Sequence, residues 1–173
     1  MIALDAVKIG GILFLAALVQ VSIATSLEVA EGHPGVLLVL LVAIALLRGP
    51  VVGAIAGFWA GVVLDVASLA TFGLSSLLLT LAGYWAGRFG DVTTRASAQP
   101  PLIAVALATL GVACGEAILR FMLGETIPAS RFFVAVLVPT LALNMLLAYP
   151  LYGLCRRLFP PPTRVRREVT AVG

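Results

Sequence analysis

Long apolar segments separated by short turns constrain this sequence most strongly. Six of them cover residues 9–26, 35–47, 51–69, 74–89, 102–123 and 132–158. A helix needs about 20 residues to cross a bilayer, and only 11% of the 173 residues are charged, too few to coat a soluble domain. The sequence therefore predicts an all-α integral membrane protein with six transmembrane helices in one bundle. The short second segment must be tilted little, be extended by its flanking residues, or lie where protein shields its ends.

The distribution of basic residues predicts how the chain is oriented. With the N-terminus in the cytoplasm, nine Lys and Arg residues lie on the inner side and two on the outer side, as the positive-inside rule requires. The inner residues are Lys8, Arg48, Arg88, Arg95, Arg156, Arg157, Arg164, Arg166 and Arg167, and the outer ones are Arg120 and Arg131. Six spans return the C-terminus to the cytoplasm.

The chain divides into a transmembrane domain over residues 1–158 and a basic tail over residues 159–173. The tail has too few apolar residues to pack, so we expect it to be flexible. Its three arginines are expected to contact anionic lipid or a cytoplasmic filament; these are Arg164, Arg166 and Arg167. The chain lacks the interleaved aromatic and basic residues that bind nucleic acid, so no nucleic-acid partner is expected.

Glycines recur every four residues on one face of the third segment. Small residues let two helix backbones approach closely in lipid, where the hydrophobic effect does not drive association. Neighbouring segments repeat the pattern, and the full set is Gly53, Gly57, Gly61, Gly83, Gly87, Gly111 and Gly115. Two interpretations stay open at this point: packing between helices of this chain, and docking of a partner helix.

Three ionisable residues, Asp65, Glu116 and Arg120, are predicted at membrane depth in the outer third. We expect them to act as buried polar fasteners between helices, because such residues usually face the protein interior. Asp65 has two candidate partners: the free backbone N–H groups at 73–76, where the fourth segment begins, and Arg120. Glu116 can pair with Arg120 one turn further on. Asn144 is expected to bond helices together rather than bind a ligand.

No residue pattern indicates catalysis. The only histidine, His33, lies in a turn, and Asp65 and Asp91 lie on opposite sides of the membrane, which argues against a membrane aspartyl peptidase. The spacing of Cys114 and Cys155 suggests neither a metal site nor a redox pair. No glycine-rich phosphate loop is present. We therefore expect a protein that is not an enzyme and that has no cofactor or metal.

Residues 46–88, LLRGPVVGAIAGFWAGVVLDVASLATFGLSSLLLTLAGYWAGR, resemble the MreD family of rod shape-determining proteins. That family shows an Arg-Gly-Pro-like turn, glycines four apart, an Asp four residues later, a Gly that opens the next helix, and a Gly-Tyr element. These features match Arg48, Gly49 and Pro50 in the turn, Gly57 and Gly61, Asp65, Gly73, and Gly83 with Tyr84.

The resemblance implies a non-catalytic scaffold of the bacterial wall-elongation (rod) complex in the inner membrane. Such a scaffold would help to maintain cell shape by docking MreC and by linking to peptidoglycan synthases. MreC is the expected partner, followed by RodA, a class B penicillin-binding protein and MreB. The family also resembles in fold the substrate-binding membrane subunits of energy-coupling-factor transporters. The alternative function is therefore a vitamin-type binding subunit, which a closed, ligand-filled outer pocket would favour.

Overall fold

The described part of the chain is folded into six α-helices. The computed structural model describes residues 2–26, 35–68, 73–93, 100–124 and 137–158. The helices are α1 (Ile2–Ser26), α2 (Val36–Arg48), α3 (Pro50–Ser68), α4 (Leu74–Thr93), α5 (Pro100–Met122) and α6 (Val138–Leu158). The predicted all-α class is confirmed. Among the described residues, three helices are long and apolar enough to cross a membrane: Pro50–Ser68, Val138–Leu158, and Leu102–Leu119 within α5.

Helix α2 lies at the centre of the bundle. Its residues 37–46 are all buried, and it packs against each of the other five helices. A helix that is apolar on every side requires such surroundings. With 13 residues it is only about 20 Å long, which is short for a bilayer. Protein therefore surrounds residues 37–46 of the short second segment.

The turn between α2 and α3 follows from its glycine and proline. Gly49 has a φ of 94°, a conformation that side-chain-bearing residues rarely adopt, and its N–H closes α2 by donating to the Ala45 carbonyl at 2.8 Å. Pro50 then begins α3, where its missing N–H costs no helical hydrogen bond. The two helices consequently reverse direction within a single residue.

The predicted loop over residues 90–101 is partly wrong. Helix α4 continues to Thr93, and α5 already begins at Pro100. Pro100 and Pro101 are tolerated there because the first N–H groups of a helix have no intrahelical acceptor. The predicted start of the first segment at residue 9 is late, since α1 begins at Ile2. Residues 132–136, predicted to open the sixth segment, lie outside the described residues.

Candidate functional site

The glycine face of α3 packs directly on the backbone of α4. A Cβ placed on any of these glycines would come closer than 3.0 Å to an atom of the facing helix, a distance that real Cβ atoms essentially never show. The pairs run antiparallel: Gly87 with Gly49 and Pro50, Gly53 with Gly83, Gly57 with Leu79, and Gly61 with Ser76. We call this pair of helices the glycine hairpin.

The glycine hairpin uses its small residues within the chain. Gly53, Gly57 and Gly61 are buried, so this face is occupied by α4 and is not open to a partner helix. Helix α5 differs along its length. Gly115 lies against the side chain of Leu78, whereas nothing lies within 4 Å of a Cβ built on Gly111. Gly111 therefore takes no part in close packing between the described helices.

Asp65 joins the two helices at one end of the glycine hairpin. Its side chain is 1% exposed. Its Oδ2 atom accepts hydrogen bonds from the N–H groups of Gly73 at 2.9 Å and Ser76 at 3.3 Å, and Oδ1 accepts one from Ser75 at 3.2 Å. These N–H groups belong to the first turn of α4, which is one of the two partners expected for this carboxylate.

Gly73 explains why the cap has to come from another helix. Its carbonyl accepts the first hydrogen bond of α4, from Leu77 at 2.9 Å, so it occupies the N-cap position. Glycine has no side chain with which to cap, and its φ of 94° suits glycine alone. Asp65 supplies the missing acceptor, and its carboxyl group lies at the positive end of the helix dipole.

The central helix α2 begins in a similar way. Its N-cap residue is Gly35, which makes no side-chain cap. The Gly35 N–H donates to Asn144 Oδ1 at 2.8 Å, and the Leu37 N–H donates to Gln20 Oε1 at 2.9 Å. Asn144 Nδ2 in turn donates to Thr109 Oγ1 at 3.1 Å. Residues from α1, α5 and α6 therefore meet at the start of α2.

Part of this second cluster is absent from the predictions made from the sequence. Asn144 was expected to bond helices together, and it does so while fully buried. Gln20 and Thr109 were not recognised, although a glycine at the start of a buried helix signals that another helix has to supply the cap. Glu116 is half-buried on α5. The side chains of Arg120, Arg164, Arg166 and Arg167 lie outside the described part, so their expected contacts stay predictions.

A groove of about 620 Å³ separates α4 from α5. Its lining residues are apolar apart from Arg88, and several of them are small: Ala82, Ala86, Ala104, Ala108 and Gly111. Among the described residues, no three His, Cys, Asp or Glu side chains are grouped so that they could hold a metal ion. The bundle thus presents two capping clusters and one apolar groove.

The family of the chain follows from a comparison with models of known protein families. Residues 3–160 match the family described as rod shape-determining protein MreD. The chain belongs to the MreD family. The match extends well beyond the motif at 46–88 and takes in all six helices, so that both capping clusters lie within the family region. Searches of curated proteins and of solved structures gave no match.

Membership of the MreD family implies a role in rod shape determination. The family consists of shape-determining membrane proteins that are generally not enzymes. Together with the three apolar helices that are long enough to span a bilayer, it indicates a membrane protein. The capping clusters and the glycine hairpin then describe how a member of this family holds its helices together.

Proposed function

We propose that this protein is a non-catalytic scaffold of the bacterial wall-elongation complex and that it docks MreC within the inner membrane. One observation carries the proposal. Within the part of the chain that the structure describes, the four buried polar residues, Asp65, Ser76, Thr109 and Asn144, all hydrogen-bond within the bundle. A solute site or a proton relay needs convergent polar groups directed at a cavity or along a path. Here these groups hold helix ends and helix pairs instead.

The proposed topology has six spans with both termini in the cytoplasm, arranged like the membrane subunit of an energy-coupling-factor transporter. The basic residues that were assigned to the inner side support this orientation. The three long apolar helices, the shorter apolar stretches in α1 and α2, and helix α4 would together make up the six spans. In this orientation both capping clusters lie toward the outer side of the membrane.

The outward face of α3 is the surface that we assign to MreC. Ile55, Phe58 and Trp59 are large, apolar and exposed, and Trp59 is 63% exposed. Trp59 is the central residue of α3 and therefore lies about 14 Å from either helix end. Tryptophans that anchor a helix to the membrane surface lie near its ends. A tryptophan at mid-depth suits contact with another helix, and aromatic residues are enriched where proteins bind.

Trp59→Ala tests this surface. We expect the variant to fold normally and to lose most of its co-purification with MreC, because the side chain projects away from the bundle. Tyr149→Ala is the matched control, since Tyr149 is an aromatic residue of α6 that is 75% exposed. The control should retain MreC. Equal retention of MreC by the two variants would exclude the outward face of α3 as the docking surface.

The links to RodA, to a class B penicillin-binding protein and to MreB belong to the same proposal. MreC would join the scaffold to the peptidoglycan synthases, and the arginines of the tail would contact anionic lipid or the MreB filament. Deletion of residues 163–173 tests the role of the tail separately. The truncated chain should be inserted normally but fail to restore rod shape. Full complementation of cell shape by the truncated chain would rule out the contacts assigned to the tail.

A further inference from the structure

The groove between α4 and α5 has a charged end. Arg88 is exposed and lines the groove, whose other lining residues are apolar. No hydrogen bond or ion pair joins the Arg88 side chain to any other residue that the structure describes. A guanidinium beside an apolar surface favours a ligand that carries an anion at the end of a hydrocarbon chain.

The position of the groove matches one leaflet of a bilayer. Leu79 lies against Gly57, close to the middle of α3, so the groove begins near mid-membrane at Leu78. It ends at Val92, about 21 Å further along α4. Half of a hydrocarbon core is about 15 Å thick. Arg88 lies about 15 Å from Leu78, and therefore at the depth where phosphate groups begin.

The dimensions of the groove suit a thin, extended occupant. Its volume of about 620 Å³ is spread over a length of roughly 21 Å. A helix with its side chains is about 10–12 Å across. An extended hydrocarbon chain is much thinner. The small lining residues, such as Ala108 and Gly111, leave the groove open for such a chain.

We propose that this groove binds one acyl chain of an anionic glycerophospholipid and that Arg88 binds the phosphate group. The acyl chain would fill the apolar part from Leu78 to Phe89, and the headgroup would lie beside the guanidinium. Anionic lipids are preferred over zwitterionic ones because the net negative charge faces an unpaired cation. This inference concerns lipid alone and does not depend on MreC.

Native mass spectrometry of the detergent-purified full chain tests the proposal. We expect phosphatidylglycerol to bind more tightly than phosphatidylcholine of the same chain length. Arg88→Gln should weaken phosphatidylglycerol binding roughly tenfold and remove the preference, since charge-assisted hydrogen bonds are lost. Arg156→Gln is the matched control, because Arg156 is an exposed cation on α6. Its lipid binding should match that of the unaltered chain.

Gly111→Leu provides a second variant that acts on the apolar part of the groove. Gly111 lines the groove, and no atom lies within 4 Å of a Cβ at this position, so we expect a larger side chain to be accommodated there and to occupy part of the groove. It should lower the binding of phosphatidylglycerol and phosphatidylcholine alike. Unaltered lipid binding by both Arg88→Gln and Gly111→Leu would overturn the proposal. Displacement of the lipid by glycerol 3-phosphate would likewise overturn it, because an anion site alone would then explain binding.

The two variants also separate a lipid groove from a protein interface. Both should retain MreC, since the surface that we assign to MreC lies on α3. Loss of MreC with unchanged lipid binding would contradict the lipid assignment and would identify the groove as a protein contact. Loss of lipid with unchanged MreC is the expected result. If Trp59→Ala left the co-purification of MreC unchanged, only the scaffold proposal would be contradicted and the lipid proposal would stand.

Discussion

The Asp65 carboxylate lies 2.9 Å from the backbone nitrogen of Gly73, eight residues further along the chain, and joins the end of α3 to the beginning of α4. The same carboxylate accepts hydrogen bonds from Ser75 and Ser76. One buried side chain therefore caps a helix that has no side-chain cap of its own. It also holds the end of α3 against the beginning of α4 in the glycine hairpin.

Replacement of Asp65 should destabilise the fold in a graded way. Asp65→Leu leaves three backbone N–H groups without an acceptor, and we expect a loss of roughly 3–5 kcal/mol. Asp65→Asn keeps one oxygen and the shape but not the charge at the helix N-terminus, and should lose about 1–2 kcal/mol. Thermal unfolding in detergent measures both. A near-surface control is Ser68→Ala, because the Ser68 hydroxyl bonds only within its own helix.

The relative stabilities of these variants, together with their ability to restore rod shape, distinguish the possible roles of Asp65. If Asp65→Leu were as stable as the unaltered chain, the hydrogen bonds to α4 would contribute nothing and the fastener role would be wrong. A stable Asp65→Leu variant that failed to restore rod shape would instead identify a contact with a partner.

Alanine at Gly57 should be harmful although alanine is normally the better helix former. Its Cβ would collide with the carbonyl group of Leu79, so the two helices have to separate. We expect a loss of roughly 2–4 kcal/mol, in the range of overpacked cores. Gly10→Ala is the matched control, because nothing lies within 4 Å of a Cβ there. The control should be neutral or gain up to about 1 kcal/mol. Equal melting temperatures for the two variants would contradict close packing in the glycine hairpin.

Asn144 and Thr109 should be energetically coupled. Their side chains are hydrogen-bonded at 3.1 Å, and Asn144 also accepts the Gly35 N–H. Asn144→Leu should cost roughly 2–4 kcal/mol, because the buried Thr109 hydroxyl and the partly buried Gly35 N–H both lose their partner. Thr109→Val should cost about 1 kcal/mol. A double-mutant cycle should give a coupling energy of about 0.5–2 kcal/mol. Additive losses within about 0.3 kcal/mol would show that this hydrogen bond contributes nothing.

Much of the fold could be predicted from the sequence because lipid solvation leaves few choices. The long apolar segments predict the helices. Gly49 and Pro50 predict the turn between α2 and α3, because Gly49 adopts a positive φ there and Pro50 suits the first position of a helix. Helix ends near residues 90–101 were less predictable, since polar residues are compatible with a helix that continues beyond the hydrocarbon. The all-helical class and the MreD family are both confirmed.

The capping clusters could be predicted only in part. Asp65 is predictable because it lies on the same helical face as the glycines of α3 and shortly before the turn that leads into α4. Gly35 at the start of α2 indicates that another helix has to supply the cap. One sequence does not show that Gln20 and Asn144, which are distant along the chain, supply it. The same limit applies to the glycines, because their spacing alone does not distinguish packing within the chain from docking of a partner helix. In the structure, Gly53 contacts Gly83 and Gly57 contacts Leu79, so both glycines lie inside the bundle.

Photo-crosslinking from position 59 in living cells tests the scaffold proposal most directly. A photoreactive phenylalanine analogue in place of Trp59 should form a covalent product with MreC, whereas the same analogue in place of Tyr149 should not. Both positions are exposed, so neither replacement disturbs the core. A product with MreC from position 149 but none from position 59 would contradict the account.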